Sequence, residues 1–192
     1  MPESADSTEM IPLEEAKRQV ALASRRLGLL HLAFAEVLVK ELGDEEGKKF
    51  VARAIKEYSR KIGSAKRDRV HAMGLEPSAE TFFDVSDLPS IGMHEGVEEV
   101  IVDGEKRFRA YGCVMGRVWC EFGAGELGRI YCYVDPASSM EFDRRCKYVH
   151  TKALPDGDDF CELVMRPTTE KDREEFVSPD TDWEYVEKGG KA

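Results

Sequence analysis

No apolar stretch in these 192 residues approaches the roughly 20 needed to cross a bilayer as a helix. The opening segment, Met1 to Met10, is acidic and polar and lacks the basic and apolar regions of a secretory signal. Cys-x-x-Cys pairs are absent too, which removes the short chelate spacing of a zinc ribbon and the dithiol of a redox motif. A cationic surplus is missing: 28 Lys and Arg stand against 38 Asp and Glu, a formal net charge of -10. Nucleic-acid binding needs clustered excess cations to neutralise phosphate, so no nucleic-acid partner is expected. The one basic run, Arg60, Lys61, Lys66, Arg67 and Arg69, falls in a helical pattern and reads as a solvated helix face. Five cysteines, an odd number without a signal segment, fit free thiols in a reducing compartment. The expectation is a cytoplasmic protein acting on a small molecule, with no membrane partner.

What remains is enough to fold. Hydrophobic residues make up 42% and charged residues 34%, a balance that buries a core and excludes a disordered polymer. One domain is expected over residues 11–167, after a disordered lead-in (1–10) and before an acidic, loosely ordered tail (168–192).

The first helix starts after Ile11-Pro12, with Glu14 and Glu15 at its positive end. Val20, Ala23, Leu27, Leu30, Phe34 and Val37 recur at helical spacing and predict the buried stripe. Gly43 ends it and Asp44 begins a second helix, which buries Val51, Ala54, Ile55, Tyr58 and Ile62 and stops at Gly74. The pair predicts an antiparallel helical hairpin, with leftover apolar surface that would suit a homodimer. After a loop from Leu75 to Pro89 the period changes to alternation. Asp103-Gly104 sits between two β-rich runs, a strong hairpin signal. A second hairpin joins Lys147–Lys152 to Phe160–Met165 through Pro155-Asp156-Gly157. Between them, Val114 to Phe142 predicts two helical pieces broken near Asp135-Pro136. Beyond Pro167 the chain reads as irregular. The fold class is α+β: a helical hairpin packed on an antiparallel four-stranded sheet made of two β-hairpins with short intervening helices.

All five cysteines, Cys113, Cys120, Cys132, Cys146 and Cys161, lie in one quarter of the chain. Buried structural thiols account for such a set as readily as chemistry does. In Tyr131-Cys132-Tyr133-Val134-Asp135-Pro136, Asp135 reads either as a helix cap or as a carboxylate sharing a pocket with Cys132. In Asp156-Gly157-Asp158-Asp159-Phe160-Cys161 the acids read either as turn residues or as crowded carboxylates that raise one another's pKa.

Taken in order, several segments resemble one family. They are Ala54-Ile55-Lys56-Glu57-Tyr58, Cys113 at a strand end, Glu126-Leu127-Gly128, Tyr131-Cys132-Tyr133-Val134-Asp135 and Gly157-Asp158-Asp159-Phe160-Cys161. From about Val20 to Arg166 the chain is similar to the L-2-amino-thiazoline-4-carboxylic acid hydrolase family. The resemblance implies a hydrolase acting on carbon–nitrogen bonds of cyclic amidines and opening a thiazoline ring to a carbamoyl-cysteine, with no cofactor and no metal. It implies Cys132, Asp135, Asp158 and Cys161 as catalytic groups and Cys113 in the same pocket. Cys113, His150 and Arg129 are assigned to substrate binding, His150 and Arg129 being the local groups able to favour a thiolate. Two other readings share the same residues. One is a small-molecule-binding sensory module without turnover. The other is a metal-binding domain using three of Cys113, Cys132, Cys146 and Cys161 with His150.

Overall fold

A computed structural model describes residues 10–86 and 88–178. Pro12 precedes helix α1, Leu13–Leu42, whose first turn holds Glu14 and Glu15. Gly43, at a φ of 86° that favours glycine, separates it from α2, Asp44–Ala72. The two helices pack along one another closely at Gly47, where an added Cβ would overlap the backbone of Val39. Two hairpins follow: β1, Gly96–Val102, with β2, Glu105–Tyr111; and β3, Cys146–Lys152, with β4, Phe160–Pro167. They join through β2 and β4 into one antiparallel sheet of order β1-β2-β4-β3. Asp103 and Gly104 both take positive φ, 52° and 82°, the geometry a tight two-residue hairpin turn requires. The α+β fold, the helical pair and the two-hairpin sheet are those the sequence predicts.

Between the hairpins run α3, Val114–Glu121, α4, Gly125–Arg129, a 3-10 turn at Ile130–Tyr133, and α5, Val134–Phe142. The break therefore falls at 122–124 and not at Asp135-Pro136. Proline is tolerated in a first helical turn, where its missing N–H costs nothing, so the helical path passes through. Asp135 is the second residue of α5, after Tyr133 at the N-cap position. α5 is wedged between α2 and β3, and Gly63 allows the fit: a Cβ there would overlap the Ser138 carbonyl and Glu141. The main core contains Leu32, Val51, Trp119, Ile130, Tyr133, Met140 and Leu163. The other face of the sheet carries charge, with Glu162 held between Arg107 (2.8 Å) and Arg109 (2.9 Å).

Four details differ from expectation. The buried face of α1 is Ser24, Gly28, His31, Leu32 and Ala35, while Leu30, Phe34 and Val37 of the predicted stripe are 56%, 65% and 58% exposed. Helix α1 is apolar on two faces, and the core takes the one whose small residues permit close approach. Gly28 offers its carbonyl to Trp119 Nε1 at 3.1 Å, and His31 meets the rings of Trp119 and Tyr131 edge-on. On α2, Ala54 and Tyr58 are exposed, whereas Ala52 is buried beside Val51 and Ile55.

The basic run of α2 is only partly a solvated face. Lys66 is buried with its ammonium 3.7 Å from the Phe82 ring centre, and Arg60 and Arg67 bond Glu141. Beyond Pro167 the chain forms α6, Glu170–Val177, started by a reciprocal cap between Thr169 and Asp172. Its Phe176 is buried, and Asp172 pairs with Lys147 at 2.8 Å. The rest of the expected tail, 179–192, and the lead-in up to residue 9 lie outside the described residues. Among the described residues, no helix is long and apolar enough to cross a membrane.

Candidate active site

Three thiols converge where the two hairpins meet. After β2, Gly112 turns the chain at a φ of 63°, and Cys113 caps α3. Its sulfur accepts from the Gly116 backbone N–H at 3.5 Å. Cys161 stands opposite Ala110 on the helix-covered face of β4, and its sulfur accepts from the Leu154 N–H at 3.5 Å. The Cys113 and Cys161 thiols are in hydrogen-bonding contact with one another. That bond lowers the pKa of Cys113, and the helix N–H groups add to the effect against burial, which works the other way. The same bond, together with burial, raises Cys161. Cys132, on the 3-10 turn, lies within electrostatic reach of Arg129, Cys161, Asp135 and Asp156. Burial pushes its pKa up to about 12 even with Arg129 beside it.

Arg129 ends α4 and is 6% exposed. Its Nε donates to Asp156 Oδ2 at 3.1 Å, and its guanidinium also bonds Cys132. His150, buried on β3, has Nδ1 3.8 Å from Asp135 Oδ2. Burial, then the cationic character of Arg129 and His94, drives its pKa well below the usual imidazole value, so it is neutral at pH 7. His94, which the sequence reading did not single out, also lies near Asp135; burial lowers its pKa and Asp135 opposes this.

The structure thus brings together Cys113, Arg129, Cys132, Asp135, His150 and Cys161. Asp158 sits at the edge of this group, on the backbone amide next to the one that Cys161 accepts. That carboxylate accepts the Ala153 N–H at 2.9 Å and fastens the β3–β4 connection. The acid reaching Arg129 is Asp156, which lies outside the catalytic set expected from the sequence. Of the three thiols, Cys113 has its pKa lowered by its surroundings, while those of Cys132 and Cys161 are raised. Cys120 is exposed near the Leu154 carbonyl, and Cys146 lies at the start of β3 against the Asp143 carbonyl; neither joins the group. Among the described residues, no three of His, Cys, Asp and Glu are arranged to hold a metal ion.

A cleft of about 720 Å³ opens between the first turns of α1, residues 90–97 leading into β1, and the start of α3. Lys17, Arg18, His94, Glu95, Gly112 and Arg117 are among its walls.

Residues 24–165 match the model of the L-2-amino-thiazoline-4-carboxylic acid hydrolase family. This chain belongs to that family. No curated protein and no solved structure matches the chain. Every member of the thiol group falls inside the family span, as do the 90–97 and α3 walls of the cleft; its α1 wall, Glu14 to Ala21, lies before it.

Proposed function

We propose that this chain is a hydrolase that opens the ring of a small cyclic amidine bearing a carboxylate, of the 2-amino-thiazoline-4-carboxylate type, with Cys113 as nucleophile. One observation carries the reading. Inside the family span, the Cys113 sulfur accepts a hydrogen bond from the Gly116 N–H at a helix N-terminus and contacts the Cys161 thiol, in a group with Arg129, Cys132 and Asp135. The thiolate is the attacking form of cysteine. A sulfur held toward that form beside carboxylates suits an electrophilic, cationic carbon.

In such a ring the carbon between nitrogen and sulfur is the electrophile, more so when the amidine is protonated. Asp135 holds the amidinium by charge-assisted hydrogen bonds. Cys113 Sγ bonds to that carbon as one ring bond breaks and the ring heteroatom leaves. Water then adds, its oxygen becomes the carbonyl, and Cys113 departs as thiolate. The two protons of the water end on the heteroatoms of the opened ring. Asp135 and neutral His150 beside it are the groups suited to carry them.

The test is incubation of the full chain with 2-amino-thiazoline-4-carboxylate, followed by mass and by assays for new amine and new thiol. A product heavier by one water is expected, and Cys113→Ala should lose it. Carbon–nitrogen rupture frees an amine, and carbon–sulfur rupture frees a thiol. An inactive parent chain, or a fully active Cys113→Ala, would overturn the reading.

A further inference from the structure

We propose that the cleft between α1, residues 90–97 and α3 is a binding site for the carboxylate of a small ligand, with Arg117 as its anion-reading group and His94 as its link to the thiols. The inference rests on the hydrolase reading for the ligand's class and adds the place where that ligand is held.

Size and closure come first. At about 720 Å³ the cleft is in the range of small-molecule sites. Its edges are fixed by close backbone approaches: a Cβ at Gly92 would overlap the Lys17 backbone, and one at Gly112 would overlap the Glu95 side chain. Charge comes second. Lys17, Arg18 and Arg117 bring three cations to the walls, each paired with an acid: Glu14, Glu15 and Glu95. The wall pairs are exchangeable. Arg117 and Glu95 are 54% and 62% exposed at their side chains, and exposed pairs of this kind contribute little. A ligand carboxylate can therefore take the place of Glu95 at the Arg117 guanidinium, where a planar fork favours it.

Connection comes third. Two wall residues interact with the thiol group: Arg117 with Cys113, and His94 with both Asp135 and His150. His94 Nδ1 is buried without a hydrogen-bond partner among the described residues. A buried polar nitrogen left unbonded is costly, and a ligand donor or acceptor in the cleft would relieve it. A carboxylate on Arg117 thus shares the cleft with His94, whose ring interacts with Asp135.

The experiment titrates the full chain with thiazolidine-4-carboxylate and with its carboxamide, reading the imidazole NMR signals, with His94→Gln to assign His94. The carboxylate should shift the His94 signals and bind at least tenfold tighter than the carboxamide. Arg117→Ala should remove that preference, and Glu95→Gln, which frees Arg117, should strengthen carboxylate binding severalfold. Equal affinity for the two probes, a silent His94, or indifference to both variants would overturn the site. Turnover is not read, so the outcomes separate: carboxylate binding without hydrolysis leaves the cleft standing and removes the enzyme. Hydrolysis with no carboxylate preference does the reverse.

Discussion

Cys113 and Cys161 face one another across the start of α3 and β4, and their interaction moves the two thiols in opposite directions: the pKa of Cys113 is lowered and that of Cys161 is raised. The consequence is a thiol ranking that alkylation measures directly. Cys113 should react with iodoacetamide at lower pH than Cys132, whose burial pushes its pKa up to about 12. Replacing Cys161 by Ala removes the partner that favours the Cys113 thiolate. The pH profile of Cys113 alkylation, followed by mass on its peptide, should then move to higher pH. An unmoved profile would remove the hydrogen bond from the account.

Glu162 tests the charged face of the sheet. Its side chain is 2% exposed, and that burial alone would raise its pKa. Hydrogen bonds from Thr151, Arg107 and Arg109 outweigh burial and bring it down to about 2. A lowered native pKa means stability that is present above the unfolded value near 4.5 and is lost as pH falls toward 2. Glu162→Gln should cost roughly 1–3 kcal/mol at pH 7, the scale of hydrogen bonds to a charged group. In urea unfolding the gap between parent and variant should shrink between pH 5 and pH 3. A gap that widens in acid would contradict the assignment.

Arg129 and Asp156 provide a second pair, with unequal exposure. The guanidinium side is 8% exposed and the carboxylate 36%. Asp156→Ala leaves a buried cation without its acid, and a loss of about 1–2 kcal/mol is expected, below the range for fully buried pairs because Asp156 is part-exposed. Removing the cation as well, in Arg129→Met with Asp156→Ala, should recover part of that loss. Calorimetric melting of the three variants decides it; a double variant less stable than the sum of the singles would refute the pairing.

The sheet was legible because period-two runs and the Asp103-Gly104 turn are local signals, and local signals survive folding. The helical hairpin was legible for the same reason, at Gly43 and Gly74. The site was legible in part. Cys113, Cys132, Asp135 and Cys161 could be collected as chemistry-bearing residues, but the surroundings of each thiol depend on contacts across the sheet that no local pattern carries. Asp156 and Asp158 stand two positions apart in one turn, and only the folded path decides which faces Arg129 and which fastens the backbone. His94 carried no signal, since its meaning comes entirely from the cleft wall and from Asp135 behind it.

Helix α1 shows why a hydrophobic stripe alone does not choose the buried face. Phe34 is 65% exposed, while Ala35, one position on, is 1% exposed. Burying the larger apolar side chain would gain more transfer free energy, but a bulky ridge would hold the neighbouring elements apart. Ser24, Gly28 and Ala35 instead let packing partners approach: a Cβ on Gly28 would already lie 3.4 Å from Met115. Phe34→Ala should therefore change stability by less than about 0.5 kcal/mol, as an ordinary surface substitution does. Ala35→Leu should cost about 1–3 kcal/mol by overpacking, although it adds hydrophobic surface. Urea midpoints for the two variants measure the contrast. A large loss from Phe34→Ala with a tolerated Ala35→Leu would mean that the helix faces the core with its predicted stripe after all.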